Sequence, residues 1–157
     1  MKQQLFSFFC AEKSNNLSEI FIVIDDSFKD MQEIYDYIGK CVYHNFPEKN
    51  PVYSNSYYFG SNPSAFSDCL SSFFYCINDT ILIFKFENFH TNISNKEIYV
   101  FLQSFLWLNV YFDYEKRLQV LISKNVMKIY LEEADRLSWL DVSAKDIFDE
   151  NYINPEG

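Results

Sequence analysis

The chain reads as an α/β protein, with a small three-stranded parallel sheet and helices packed on it. Residues 19–24, 80–86 and 118–122 are short apolar runs rich in β-branched residues, the composition of strands buried on both faces. Between and after these runs, apolar residues recur every three or four positions, which is the helical period. Hydrophobic residues make up 48% of the 157 positions, with 17 Phe and 12 Tyr, enough for one dense core.

Taken in order, Lys2 precedes a weak apolar stretch from Leu5 to Ala11, interrupted by Ser7 and closed by Glu12 and Lys13. That stretch is too short and too polar for a secretory leader or a membrane span. The first strand, 19–24, is stopped by Asp25, Asp26 and Ser27. From Phe28 the pattern turns helical through Met31, Ile34, Tyr35, Ile38, Cys41 and Val42, with Ser27 and Asp30 as an opening capping pair. Residues 43–61 hold Pro47, Pro51, Gly60 and several Tyr, and predict a long loop of the kind that often carries function.

The next helix has the clearest start, with Asn62 suited to the N-cap and Pro63 to the first helical position. Phe66, Cys69, Leu70, Phe73 and Phe74 form its apolar stripe, and Ser64, Ser67, Asp68 and Ser71 its polar face. After the strand 80–86, the sequence Ser94-Asn-Lys-Glu97 is a capping box opening a strongly apolar helix. That helix contains Gln103 and Asn109 and falls short of the ~20 residues a bilayer requires. The last strand, 118–122, leads into an amphipathic helix through Val126, Met127, Tyr130, Leu131, Ala134 and Leu137. The tail from Asp141 has five acids against Lys145. With no repeat and no linker composition, residues 1–157 read as one domain, and crossovers between parallel strands should be right-handed.

Thirteen Lys and Arg against 22 Asp and Glu give a net charge of −9. Such a surface repels nucleic acid and anionic lipid and suits a basic protein partner. Three glycines in the whole chain leave no glycine-rich phosphate loop. Cys10, Cys41, Cys69 and Cys76 lack disulfide-framework spacing and read as reduced thiols of a cytoplasmic protein. Cys41-x-x-His44 has no second pair to complete a zinc site, and His90 has no Ser or Cys partner for a nucleophilic triad. No catalytic, metal or cofactor-binding residue is therefore assigned. One phospho-acceptor arrangement stays open: Asp25 and Asp26 at a strand's carboxyl end could hold Mg²⁺, with Lys124 after the last strand. Against it, the second strand ends in Glu87 and Asn88, and Asp26 or Ser27 is already explained as a cap.

The stretch Tyr57-Tyr-Phe-Gly-Ser-Asn-Pro-Ser-Ala-Phe-Ser-Asp-Cys-Leu70, followed by the strand at 81–86 and Glu87-Asn-Phe89, resembles the barstar family of ribonuclease inhibitors. The order of elements agrees over residues 19–123, the motif over 57–89, and residues 124–157 form an acidic helical extension outside the resemblance. The resemblance implies a non-catalytic immunity protein that occludes the active site of a basic ribonuclease toxin; a monomer when free is the default expectation. Asp68 would stand in for a substrate phosphate, with Ser64 and Ser67 as close polar contacts. Tyr57, Tyr58, Gly60 and Asn62 would shape the preceding loop; Phe73 is expected to pack inward on its helical spacing and is only a marginal rim candidate. There are departures: Phe59 is an extra residue, Ser64 replaces an acid, Ser67 replaces a Trp, and neither Asp113 nor Glu115 matches the family's later acid. Tyr53, Tyr57, Tyr58 and Phe59 are expected to divide between contact aromatics and cover for the core. The alternative is a non-catalytic interaction module with a non-nuclease target.

Overall fold

The computed structural model describes residues 5–9, 17–44, 57–112 and 117–137. Cys10, Tyr53, Asp113, Glu115, most of the 43–61 loop and the acidic tail lie outside the described residues. The elements are β1 (Leu5–Phe9), β2 (Ser18–Ile24), α1 (Met31–His44), α2 (Pro63–Cys76), β3 (Thr80–Phe86), α3 (Asn95–Phe112), β4 (Leu118–Ser123) and α4 (Lys124–Leu137). The sheet order is β1-β4-β3-β2. β2, β3 and β4 run parallel, and β1 pairs antiparallel with β4.

The protein is thus α/β, but its sheet is four-stranded and mixed rather than three-stranded and parallel. The added strand is the apolar stretch at 5–9, whose pairing with β4 shifts register between Ser7 and Phe9. A run that short, with a serine inside it, acquires strand character only from the edge that β4 presents. The pairing buries Phe6 and Phe8.

Register explains where the core sits. Ile20, Leu82 and Leu118 align across the sheet, as do Ile22, Phe84 and Val120, and Ile24, Phe86 and Ile122. Side chains two residues apart share a face, so these rows form one apolar floor. Ile34, Ile38, Phe66, Leu70, Phe101 and Phe105 cover it from the helices. Phe66 of α2 is central to that layer, with the rings of Tyr35, Phe59, Phe84, Phe101 and Phe105 at centroid distances of 5.1–6.5 Å. On the other face Phe21 is half exposed, with Lys85 Nζ 4.9 Å from its ring centroid.

Caps set the helix ends. At α1 the N-cap is Asp30, and Glu33 reaches back to the residue before it, in place of the expected pairing of Ser27 with Asp30. Asp30 Oδ1 accepts from Glu33 N–H at 2.9 Å, and Glu33 Oε2 accepts from Lys29 N–H at 2.8 Å. Ser27 is tied back to Asp25 by its own N–H and hydroxyl, at 2.9 and 2.5 Å. The box at α3 forms as expected, with Ser94 and Glu97 bonded reciprocally at 3.1 and 2.8 Å. α2 has no basic residue in its last turn. Arg117, just before β4, supplies the missing donor: its guanidinium donates to the carbonyls of Phe74 and Ile77 and lies 5.0 Å from the Phe74 ring centroid.

α4, the start of the 124–157 extension, contributes Val126, Met127 and Tyr130 to the same core. Tyr130 stacks on Tyr99 at 5.1 Å, meets Phe8 edge-on at 4.9 Å and accepts a hydrogen bond from Gln103. No helix among the described residues is long and apolar enough to cross a membrane.

Candidate functional site

The starts of α1, α2 and α3 converge at one end of the molecule, around a cleft of about 270 Å³. Met31 and Tyr35 line it from α1, Ser61, Asn62 and Pro63 from the start of α2, and Lys96, Glu97 and Val100 from α3. Beside it lies the segment 57–62, whose aromatics divide by position: Tyr57 and Tyr58 are 43% and 40% exposed, whereas Phe59 is fully buried. Phe59 packs between Tyr43 and Phe66, at 5.8 and 5.6 Å.

Two glycines hold this segment close. Gly60 has φ 105°, and a Cβ on it would lie 2.6 Å from Phe66 N and 2.8 Å from Phe66 Cα. At Gly39 of α1 a Cβ would meet the Tyr57 carbonyl oxygen at 1.8 Å, so the loop crosses directly over the helix there. Gln32 of α1 donates to the Gly60 carbonyl at 3.4 Å and to Asp36 at 2.9 Å. Asn62 is the N-cap of α2, its side-chain oxygen accepting from Ala65 N–H at 2.9 Å.

Along α2, Ser64 and Asp68 are exposed one turn apart. Ser67 is half-buried and turns toward α3, its hydroxyl donating to the Ser104 carbonyl at 3.3 Å. Phe73 is 1% exposed, facing the core, and has no surface to offer a partner. The fold therefore groups Tyr57, Tyr58, Ser64 and Asp68 on the outside. It uses Gly60 and Asn62 as the geometry that holds them, and leaves Ser67 and Phe73 to packing. Burial, with a smaller contribution from the Asp68 charge, pushes the Cys69 thiol up to about 11. Burial likewise raises Cys41.

Three features were not read from the sequence: Gln32 bracing the loop, the cleft itself, and, at the opposite end of α2, Tyr75, the most exposed large hydrophobic residue described, at 86%. Of these only Tyr75 had a signal, since it stands seven residues after Asp68 and so shares its helix face. From 57 to 84 the chain has no Lys, Arg or His, and its charged residues are Asp68 and Asp79.

The carboxyl end of the parallel strands offers less to a cation. The Ser27 hydroxyl and N–H hold the Asp25 carboxylate below its ordinary range by occupying it. Asn88 Oδ1 accepts from Phe89 N–H and from Asn125, and His90 Nδ1 accepts from Asn92 N–H. Among the described residues no group of three or more His, Cys, Asp or Glu side chains could hold a metal ion. No family model, curated protein or solved structure matches the chain.

Proposed function

We propose that this chain is a barstar-like inhibitor, a cytoplasmic immunity protein that binds a basic ribonuclease toxin and occludes its active site without catalysis or cofactor. The observation that carries this reading is Asp68, solvent-facing on a helix whose flanking sequence from 57 to 84 holds no Lys, Arg or His, with an exposed Tyr57–Tyr58 segment braced at its start. A ribonuclease cleft gathers Arg, Lys and His to hold a phosphodiester. A carboxylate delivered on a rigid helix satisfies the same groups and excludes the substrate, and Ser64 one turn earlier leaves room for the cleft wall to approach.

The net charge of −9 adds a long-range attraction to a cationic enzyme. Steered association reaches ~10⁸ M⁻¹s⁻¹ at low salt and falls as salt screens the field.

The test is to mix the purified chain with a panel of small basic microbial ribonucleases, including any encoded beside it, and measure RNA cleavage. Stoichiometric inhibition that weakens with salt is expected. Asp68→Ala should weaken it by about 30-fold or more, the scale of truncating one partner of a buried charge pair. Uninhibited cleavage by every enzyme would end this reading and leave the face to a non-nuclease target. If Asp68→Ala inhibits as well as the native chain, the site lies elsewhere.

A further inference from the structure

The large hydrophobic side chains exposed among the described residues are Phe21, Tyr57, Tyr58 and Tyr75. Phe21 already carries Lys85 over its ring. The other three belong to the loop and helix that present Asp68. Single exposed hydrophobics are ordinary and need no explanation. The alignment of Tyr75 is less ordinary. Seven residues of helix advance about 10.5 Å and return to within roughly 20° of the starting direction, so Tyr75 stands two turns from Asp68 on the same face. Between them come Ser71 and Ser72, small and half-buried, which keep the face low. Phe66, Leu70, Phe73 and Phe74 all turn the other way, into the core. At 86% exposure the Tyr75 ring contributes almost nothing to packing.

Charge selects what would cover that ring. The segment from 57 to 84 is without Lys, Arg or His, in a chain of net charge −9. Arg117 reaches this end of α2 but is committed to the Phe74 and Ile77 carbonyls and the Phe74 ring. The exposed π face of Tyr75 suits a further cation, and arginine above all. Its guanidinium is planar and weakly hydrated, and it stacks on aromatic rings within about 6 Å of the centroid. An enzyme that binds an RNA strand carries cations beside its catalytic cleft as well as within it, because the strand continues past the scissile phosphate.

We propose that Tyr75 is the second anchor of the partner-binding face, receiving an arginine side chain from the rim of the ribonuclease cleft that Asp68 enters. This rests on the inhibitor reading above and extends its footprint along the full length of α2, about 21 Å for 14 residues. Tyrosine suits the role because a large rigid ring is immobilised at low entropic cost.

The experiment compares Tyr75→Ala, Tyr75→Phe and Tyr75→Lys with the native chain and Asp68→Ala against the same ribonuclease panel, measuring inhibition and dissociation rate. Tyr75→Ala should weaken inhibition by about 10- to 30-fold, mainly through faster dissociation. Tyr75→Phe, which keeps the ring, should stay within about threefold of native, and Tyr75→Lys should be worse than alanine. Thermal unfolding of all three should match the native chain. Native-like inhibition by Tyr75→Ala, beside a loss with Asp68→Ala, overturns the second anchor and leaves the inhibitor reading standing. If Tyr75→Phe is as damaging as alanine, or Tyr75→Lys is tolerated, the contact is not a cation on the ring and the proposal falls. If the native chain inhibits none of the enzymes, both proposals fall together.

Discussion

Replacing Gly60 with alanine should be among the most damaging changes open to this chain for its size, and the cost follows from two separate contributions. The first is conformational: φ at Gly60 is 105°, and a residue with a Cβ pays about 1–2 kcal/mol to occupy that region. The second is steric: the new methyl would lie 2.6 Å from Phe66 N and 2.8 Å from Phe66 Cα. Those atoms are backbone in the first turn of α2, and Phe66 is wedged among five other rings, so neither side yields easily. Overpacking of this kind costs about 1–3 kcal/mol, for a total of roughly 2–5 kcal/mol. In a chain of 157 residues each kcal/mol lowers the melting temperature by about 2–4 °C, so a fall of about 4–20 °C is expected by circular dichroism. Gly60→Asn separates the two contributions. Asparagine tolerates positive φ better but carries the same Cβ, so it should remain several degrees below native. Gly60→Ala melting within about 1 °C of the native chain would refute the reasoning, and Gly60→Asn matching native would remove the steric half of it.

Arg117→Ala should destabilise by about 2–4 kcal/mol, because two carbonyls at the end of α2 lose a charged donor; lysine should restore less than half, having no fork to reach both. A urea midpoint unchanged in Arg117→Ala would contradict this. The Tyr99 hydroxyl is buried with no hydrogen-bond partner among the described residues, so Tyr99→Phe should be neutral or stabilising by up to about 1–2 kcal/mol. Tyr130→Phe loses the bond from Gln103 and should destabilise by about 1 kcal/mol; equal signs for the two variants in urea unfolding would count against the assignment. Alkali should unfold the protein early. Burial, then the Glu97 charge, raises Tyr35 from 10.0 to about 12; a hydrogen bond with Cys41, then burial, raises Tyr37 to the same value. Below pH 10 both states are protonated and this contribution is whole. Between about 10 and 12 the unfolded chain binds fewer protons than the folded one, so stability falls as pH rises. Urea midpoints that agree between about pH 9 and about pH 11 would rule this out.

Much of this molecule was legible because its local chemistry is consistent. The three apolar runs became β2, β3 and β4, and the Asn62-Pro63 and Ser94-to-Glu97 signals opened α2 and α3 where they stand. These patterns depend on the period of one backbone segment and on a cap within three or four residues, so they need no knowledge of the rest of the chain. The α1 start shows the limit of that logic. Ser27 and Asp30 have the right spacing, but Asp30 itself caps the Glu33 N–H while Glu33 reaches back to the Lys29 N–H, and Asp25 takes Ser27 for itself.

Sequence by itself determined the α/β class, the order of seven of the eight described elements, and the helix that carries Asp68 outward. Tertiary structure alone decided that residues 5–9 are a strand, since a five-residue run gains its hydrogen bonds only from β4. It also decided which side chains on the polar face of α2 meet solvent. Periodicity put Ser67 beside Asp68, but α3 passes close enough to draw its hydroxyl to the Ser104 carbonyl, whereas nothing described covers Tyr75. Helical spacing specifies an angle around one axis. What lies along that direction is set by where a segment distant in sequence is packed, through contacts that no local pattern encodes.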